Sequence, residues 1–333
     1  LWRRRSNTVE TKEVLSHIQN RKSPKAQEVI YGALHRAYQG DLTNGPSKAE
    51  VCLWEEKWIQ CGRQLNQWDL LADFAKGVEH YELLIDCLWR IPDWTTLKET
   101  VLPKAQVEET PRLKMVQAYV ALTDGNITEG SQHISQGVAR AIDQWWALPE
   151  LGTCPRLQLL QSFHQLVELQ ESTRVFVALS KAQRQQQHSF KELKDILETW
   201  RLRLPNKWDS VSHWNDIIMW RNHVYSTVIN TFKNFHEINP ALHQLGFKDK
   251  AWSVNKLAGV VRKQGLGEVA AQILNKMYGY LRMEVQEAFI KIREQGKAYL
   301  SMPGEVQTGL NLLNTTNLEY FLPGHKAEIF RLK

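Results

Sequence analysis

The segment "SPKAQEVIYGALHRAYQG" at residues 23–40 shows the pattern that most constrains this chain. Ser23 stands where a cap accepts a backbone N–H, Pro24 falls in the first turn, and Gly40 stands as the stop. The pattern recurs. "SKAEVCLWEEKWIQCG" runs from Ser47 to a glycine stop at Gly62, and "NQWDLLADFAKG" from Asn66 to Gly77. "YELLIDCLWR" follows, then "DWTTLKETV" from Asp93. "SFKELKDILETWRLRL" opens with a capping box in which Ser189 and Glu192 satisfy each other's exposed N–H groups. Runs of alternating polarity, the mark of strands, are almost absent. A helical hairpin cannot bury its apolar face alone, so a train of them must stack. The expected fold is all-α, a TPR/HEAT-like helical-hairpin solenoid with at least ten helices and no sheet.

The chain also resembles itself. Cys61 leads to Trp68 and Cys87 to Trp94 at the same spacing, with Leu65 matching Ile91 and Leu71 matching Leu97. In both places a helix ends, a tight turn follows, and the next helix opens with tryptophan. "GEVAAQILN" at Gly267 and "GEVQTGLNLLN" at Gly304 start two similar helices. A period near 34 residues suits tetratricopeptide-like hairpins. At 333 residues the chain exceeds the roughly 250–300 at which one core stops growing, and repetition is the way past that limit. The polar stretch "SKAQRQQQHS" at 180–189 is the best internal break. The expected parts are a helical N-terminal portion (1–45) and two groups of hairpins (46–180 and 189–333), all within one solenoid.

Charge and composition exclude more than they assign. A net charge of +6 permits acidic partners without arguing for nucleic acid. Apolar runs such as "VFVAL" fall far below the roughly 18 residues of a membrane helix. The chain begins "LWRRRSN", with no apolar signal segment, and reads as a piece of a longer protein. Cys52, Cys61, Cys87 and Cys154 form no C-x-x-C pair. Asn-x-Thr matches at Asn126 and Asn314 read as chance in a reduced, intracellular chain.

Catalytic patterns fail on inspection. "HRAYQGDLTN" echoes a kinase catalytic loop but has Ala37 where the catalytic Asp belongs, and "DFA" at Asp73 is a bare echo of a metal-binding triplet. "GLG" at 265–267 lacks the strand and further glycines of a phosphate loop. His213 and His223 lie ten apart on one helix, poor chelate spacing. No catalytic, cofactor-binding or metal-binding residue is assigned, and no cofactor is expected.

The sharpest feature is "WRLRLPNKWDSVSHWNDIIMWRNHVY". Aromatics stack on bases and cations meet phosphates, so it admits a nucleic-acid surface. Against that, Val211, Trp214, Ile218, Arg221, Tyr225, Val228 and Phe232 form one helical stripe of the kind that faces a core. The chain's 13 tryptophans then read as packing, with Trp58, Trp68, Trp94, Trp200, Trp214 and Trp220 in structural positions. Arg221 is the charged member of the stripe. A hairpin closed about Asn206 sets it opposite residue 191, which makes Asp195 the favoured carboxylate partner and Glu192 the alternative. A snorkelling side chain is the other outcome.

The stretch "ETWRLRLPNKWDSVSHWNDIIMWRNHVY" resembles the FAT region of TRRAP-like proteins, the pseudokinase members of the PI-kinase-related kinase (PIKK) family. "WEEKWIQCGRQLNQWDLLADFAKG", "LLIDCLWRIPDWTTLKE", "VVRKQGLGEVAAQIL" and "NTTNLEYF" carry the same likeness. The resemblance implies a stack of helical hairpins clamping a kinase-like domain of the same chain. It implies a nuclear, non-catalytic scaffold of SAGA and NuA4-type histone acetyltransferase complexes that receives transcription activators. No membrane association is implied, and direct nucleic-acid binding is not expected. The FAT region of a catalytically active PIKK is the first alternative, and a nucleic-acid-binding helical repeat the second. Some PIKK relatives hold an inositol polyphosphate on basic helices here. Arg201, Arg203 and Lys207 are the matching cluster, and a solvated basic face is the plainer reading.

Overall fold

The computed structural model describes residues 8–20, 22–39, 47–106, 108–150, 153–182, 188–233, 240–280 and 282–333. Among them every regular element is helical and none is a strand, so the fold is all-α. Contacts divide the chain into two compact units, Leu1–Val107 and Glu108–Lys333. The polar stretch at 180–189 lies within the second, and residues 183–187 fall outside the described set. So do Gly40 and the side chain of Ser189, which carry the expected stop of one helix and the expected capping box of another.

The first unit contains α1 (Val9–Gln19), α2 (Ser23–Gln39), α3 (Lys48–Gln64), α4 (Trp68–Gly77) and α5 (Tyr81–Leu88). It closes with α6 (Trp94–Thr96), a π turn (Leu97–Val101) and α7 (Leu102–Lys104). Each of α1 to α4 packs on the next in sequence, and α5 packs on the π turn. Thr8 and Ser47 cap α1 and α3 through side-chain oxygens. Trp54, fully buried, donates Nε1–H to Thr11 Oγ1 at 2.9 Å and ties α3 to α1. Ser23 does not cap: its hydroxyl donates to Gln64 Oε1 at 2.7 Å, joining α2 to the end of α3. Gly62 does not stop α3 either. It lies inside the helix, where a Cβ would stand 3.0 Å from Leu71 Cδ2, so the glycine is a close-approach point between α3 and α4.

The second unit contains α8 (Pro111–Thr123), α9 (Ile127–Ala147), α10 (Thr153–Ala182), α11 (His188–Leu202) and α12 (Val211–Phe232). It continues through α13 (Pro240–Lys263), α14 (Gly267–Lys276), a 3-10 turn (Met277–Gly279), α15 (Val285–Leu300), α16 (Val306–Thr315) and α17 (Pro323–Leu332). Here α8, α10 and α12 follow one another at every second place, as do α11, α13, α15 and α17, each packing on the next of its row. Neighbours one and two apart in sequence are the contact pattern of stacked hairpins.

One turn chemistry joins four of these helix pairs. Gln67 N–H donates to Gly62 O, His80 to Ala75 O, Asn126 to Ala121 O and Leu266 to Val261 O. The residue before each donor is left-handed: Asn66 (φ 59°), Glu79 (φ 54°), Gly125 (φ 78°) and Gly265 (φ 88°). These are Schellman closures, which satisfy the last carbonyls of one helix while reversing the chain into the next. The internal match between the two Cys-to-Trp segments is thereby only partly kept. Cys61, Cys87, Leu71 and Leu97 are all buried. Trp68 is buried and opens α4, whereas Trp94 opens α6 but is only half-buried. Pro92 occupies the second turn, and its ring fixes φ near −65°, so the left-handed closure used at Asn66 is unavailable there.

Candidate functional site

The basic–aromatic stretch of the sequence becomes a buried node where α10, α11 and α12 meet. All seven residues of the α12 stripe, from Val211 to Phe232, are buried. Arg221 is 0% exposed, and so demands partners. It finds them on two elements. Its Nε donates to Glu168 Oε2 at 2.9 Å, and Nη2 donates to Glu168 Oε1, a bidentate pair with α10. Nη1 donates to Trp200 O and Nη2 to Arg203 O, both at 2.7 Å. The guanidinium thus caps the last carbonyls of α11 while gripping α10.

Glu168 is held below the usual carboxylate range. Burial opposes its charge, but the hydrogen bonds and charge of Arg221, with His164 in support, outweigh that cost. His164 Nε2 lies 3.1 Å from Glu168 Oε1. One helical turn along α10, Glu171 accepts from Trp200 Nε1 at 2.7 Å and from both terminal nitrogens of Arg203. Ser172 accepts from Trp220 Nε1 at 2.8 Å and donates to Glu168 O at 2.7 Å. Trp214 Nε1 donates to Asn206 O at 2.8 Å. The two arginines and two glutamates balance, and the indole N–H groups of Trp200, Trp214 and Trp220 are all satisfied.

The node answers what the stretch is for in the fold. Trp200 is edge-on to Tyr225 (6.1 Å between centroids) and Trp220 lies 4.4 Å from Tyr119 of α8. His223 stacks on Trp220, and burial, with Lys250 nearby, lowers its pKa to about 4. His213 is likewise lowered, by burial and then by His164. Elsewhere Trp58 meets Phe74 at 5.1 Å, and Trp68 donates Nε1–H to Asn66 Oδ1 at 2.5 Å beneath the Arg90 guanidinium, 4.1 Å from the ring centroid. The basic cluster at 201–207 is largely neutralised. Arg201 pairs with Asp249 at 2.5 Å and Arg203 with Glu171, while Lys207 lies over the Trp208 ring. Among the described residues no group of three metal-ligating side chains occurs, and no helix is long and apolar enough to cross a membrane.

The sequence-based partner of Arg221 is corrected. Asp195 does not meet it. Asp195 lines an open cleft with Arg174 and Lys191, and its backbone carbonyl accepts from the Thr199 hydroxyl. The expectation assumed that α11 and α12 lie face to face along their length. Instead α11 packs on α10 and α13, α12 packs on α10 and α13, and only the C-terminal end of α11 reaches Arg221. Glu168 and Glu171 were missed. The signal was present: Glu168 lies at helical spacing with Ser172, Val175 and Leu179, all buried, so an acid interrupts one stripe as Arg221 interrupts another.

Known proteins resemble this chain along its whole length. The family profile described as the FAT domain matches residues 81–333. The SAGA complex/NuA4 acetyltransferase complex subunit TRA1 of Saccharomyces cerevisiae is 35% identical across 100% of this chain, which covers 9% of that protein. The SAGA complex/NuA4 acetyltransferase complex subunit Tra1 of Schizosaccharomyces pombe is 33% identical over 100% of the chain and 10% of its own length. The transformation/transcription domain-associated protein of Mus musculus is 30% identical over 100% of the chain and 14% of its own. The chain therefore spans only about a tenth of these relatives.

Proposed function

This chain belongs to the FAT domain family, and on that premise we propose that it is a non-catalytic scaffold segment of a TRRAP-like pseudokinase. In that role it helps assemble histone acetyltransferase coactivator complexes of the SAGA and NuA4 type in the nucleus and brings them to transcription activators. The observation that carries the reading is similarity along all of this chain to proteins described as subunits of those complexes. The node supports it from physics. Its arginines and carboxylates neutralise one another inside the stack, an arrangement that fixes helix register. Scaffolding needs such a fixed register, because surfaces on successive hairpins must keep constant spacing.

The experiment is purification of the full-length protein from its own cells. The proposal expects acetyltransferase-complex subunits to co-purify in fixed ratio, and no transfer of phosphate from ATP. A phosphotransfer activity abolished by substitution in its kinase-like domain would instead make this the FAT region of an active kinase. Recovery without acetyltransferase subunits would remove the assembly role.

A further inference from the structure

The loop between α11 and α12 is held from several sides. Asn206 N–H donates to Asp209 Oδ2 at 2.9 Å, Trp208 N–H to Asn206 Oδ1 at 3.2 Å, and Asp209 N–H to Asn206 O at 2.9 Å. Other elements reach in as well. Trp214 donates to Asn206 O, Arg221 to Arg203 O, and Gln264 Nε2 to Lys207 O (3.0 Å) and Asp209 O (2.9 Å). Pro205, within the loop, is buried. Yet this tied-down loop and the adjoining end of α11 present apolar side chains to solvent. Leu202 is 90% exposed and Trp208 is 74% exposed. Trp200, Trp214 and Trp220 are buried, so Trp208 departs from the packing role of its neighbours.

The charges beside it also divide in two. Arg201, Arg203 and Arg262 pair with Asp249, Glu171 and Glu294. Lys207 and Lys263, the latter next to Gln264, are exposed, and neither has an ion-pair partner among the described residues. A rigid loop loses little freedom on binding, and tryptophan is among the commonest anchors of protein interfaces. A protruding indole is complemented by a concavity; Lys207, whose Nζ lies over the Trp208 ring, and Lys263 lack carboxylate partners among the described residues, and acids at the edge of that concavity would supply them. Single-stranded nucleic acid would need a longer run of free cations than two lysines.

We propose that this loop is a preformed docking knob for another protein subunit, one that offers an apolar pocket for the Trp208 indole and carboxylates at the rim for Lys207 and Lys263. The proposal rests on the scaffold reading. It is tested in the full-length protein with Trp208 replaced by the photo-reactive p-benzoylphenylalanine. Irradiation should crosslink position 208 to one subunit of the assembled complex, at apolar residues flanked by Asp or Glu. Trp208→Ala and Lys207→Glu should each lower retention of that subunit, about tenfold for the tryptophan. The other subunits and the melting temperature should not change. Crosslinks confined to nucleic acid or to the same chain would overturn the knob, as would undiminished retention by the Leu202→Ser/Trp208→Ala double variant. Those failures leave the wild-type protein assembling normally. A wild type that retains no acetyltransferase subunit overturns the scaffold reading, and the knob with it.

Discussion

Arg221 shows what a residue in this chain can reveal and conceal. Its place in an apolar stripe favoured a buried, paired guanidinium over a snorkelling one; Arg221 is 0% exposed and pairs with Glu168. Its partner depended on which helix faces which, and local sequence carries no such information. Glu168 sits 53 positions away on a helix that is not next to α12 in sequence. The pair sets a pH dependence. The folded carboxyl of Glu168 lies below its unfolded value, so its contribution is complete above an unfolded pKa of about 4.3 and is lost as pH falls through the folded value. Denaturation of Glu168→Gln against wild type should therefore show its largest deficit near neutrality and a shrinking one below pH ~4. His223 acts over a higher range. It is buried neutral, with a folded pKa of about 4 beside Lys250. Stability is lost as pH falls from about 6.5 toward that value, and His223→Phe should flatten the loss. Tryptophans differ by burial: Trp68→Ala should cost ~3–5 kcal/mol, and half-exposed Trp94→Ala clearly less, by urea unfolding.

The existence of the elements was legible because helices declare themselves by apolar spacing and caps. Ser47 and the segment beginning at Val211 read correctly on those grounds. Ends and crossings were less legible. Gly62 looked like a stop and is a contact, because a glycine in sequence does not say whether it serves a left-handed turn or a close approach. Conversely, Glu79 is left-handed at φ 54° without being glycine. A side chain there costs ~1–2 kcal/mol, so Glu79→Gly should stabilise the first unit by about 1 kcal/mol, read as a higher urea midpoint. Gly246 is the opposite case. On α13 a Cβ would come 2.9 Å from Tyr225 O and 2.7 Å from Ile229 Cγ1 of α12. Gly246→Ala should destabilise the second unit by ~1–3 kcal/mol, because helix backbones yield less than side-chain tips.

At the scale of the whole molecule, the resemblance read from the tryptophan-rich block and the similarity to the Tra1 and transformation/transcription domain-associated proteins agree. The all-α stack was legible because hairpins repeat. The division at Val107 was not, because no run of glycine, proline or charge marks it. The central claim is that Arg221 and Glu168, at the heart of the node, work as an internal tie and not by contacting a partner. One measurement separates these directly: amide hydrogen exchange of residues 160–232 in the full-length protein, with co-purified subunits quantified, for Arg221→Met, Glu168→Leu and the double variant. Each single change strips a buried charge of its main partner and should cost ~3–5 kcal/mol, while removing both charges together should cost less, the remainder coming from the Trp200 and Arg203 carbonyls that Arg221 no longer caps. The account predicts that each single variant loses protection and subunits and that the double variant regains both. Protection restored without subunits would contradict it, since the arginine would then be needed for a partner and not for the fold.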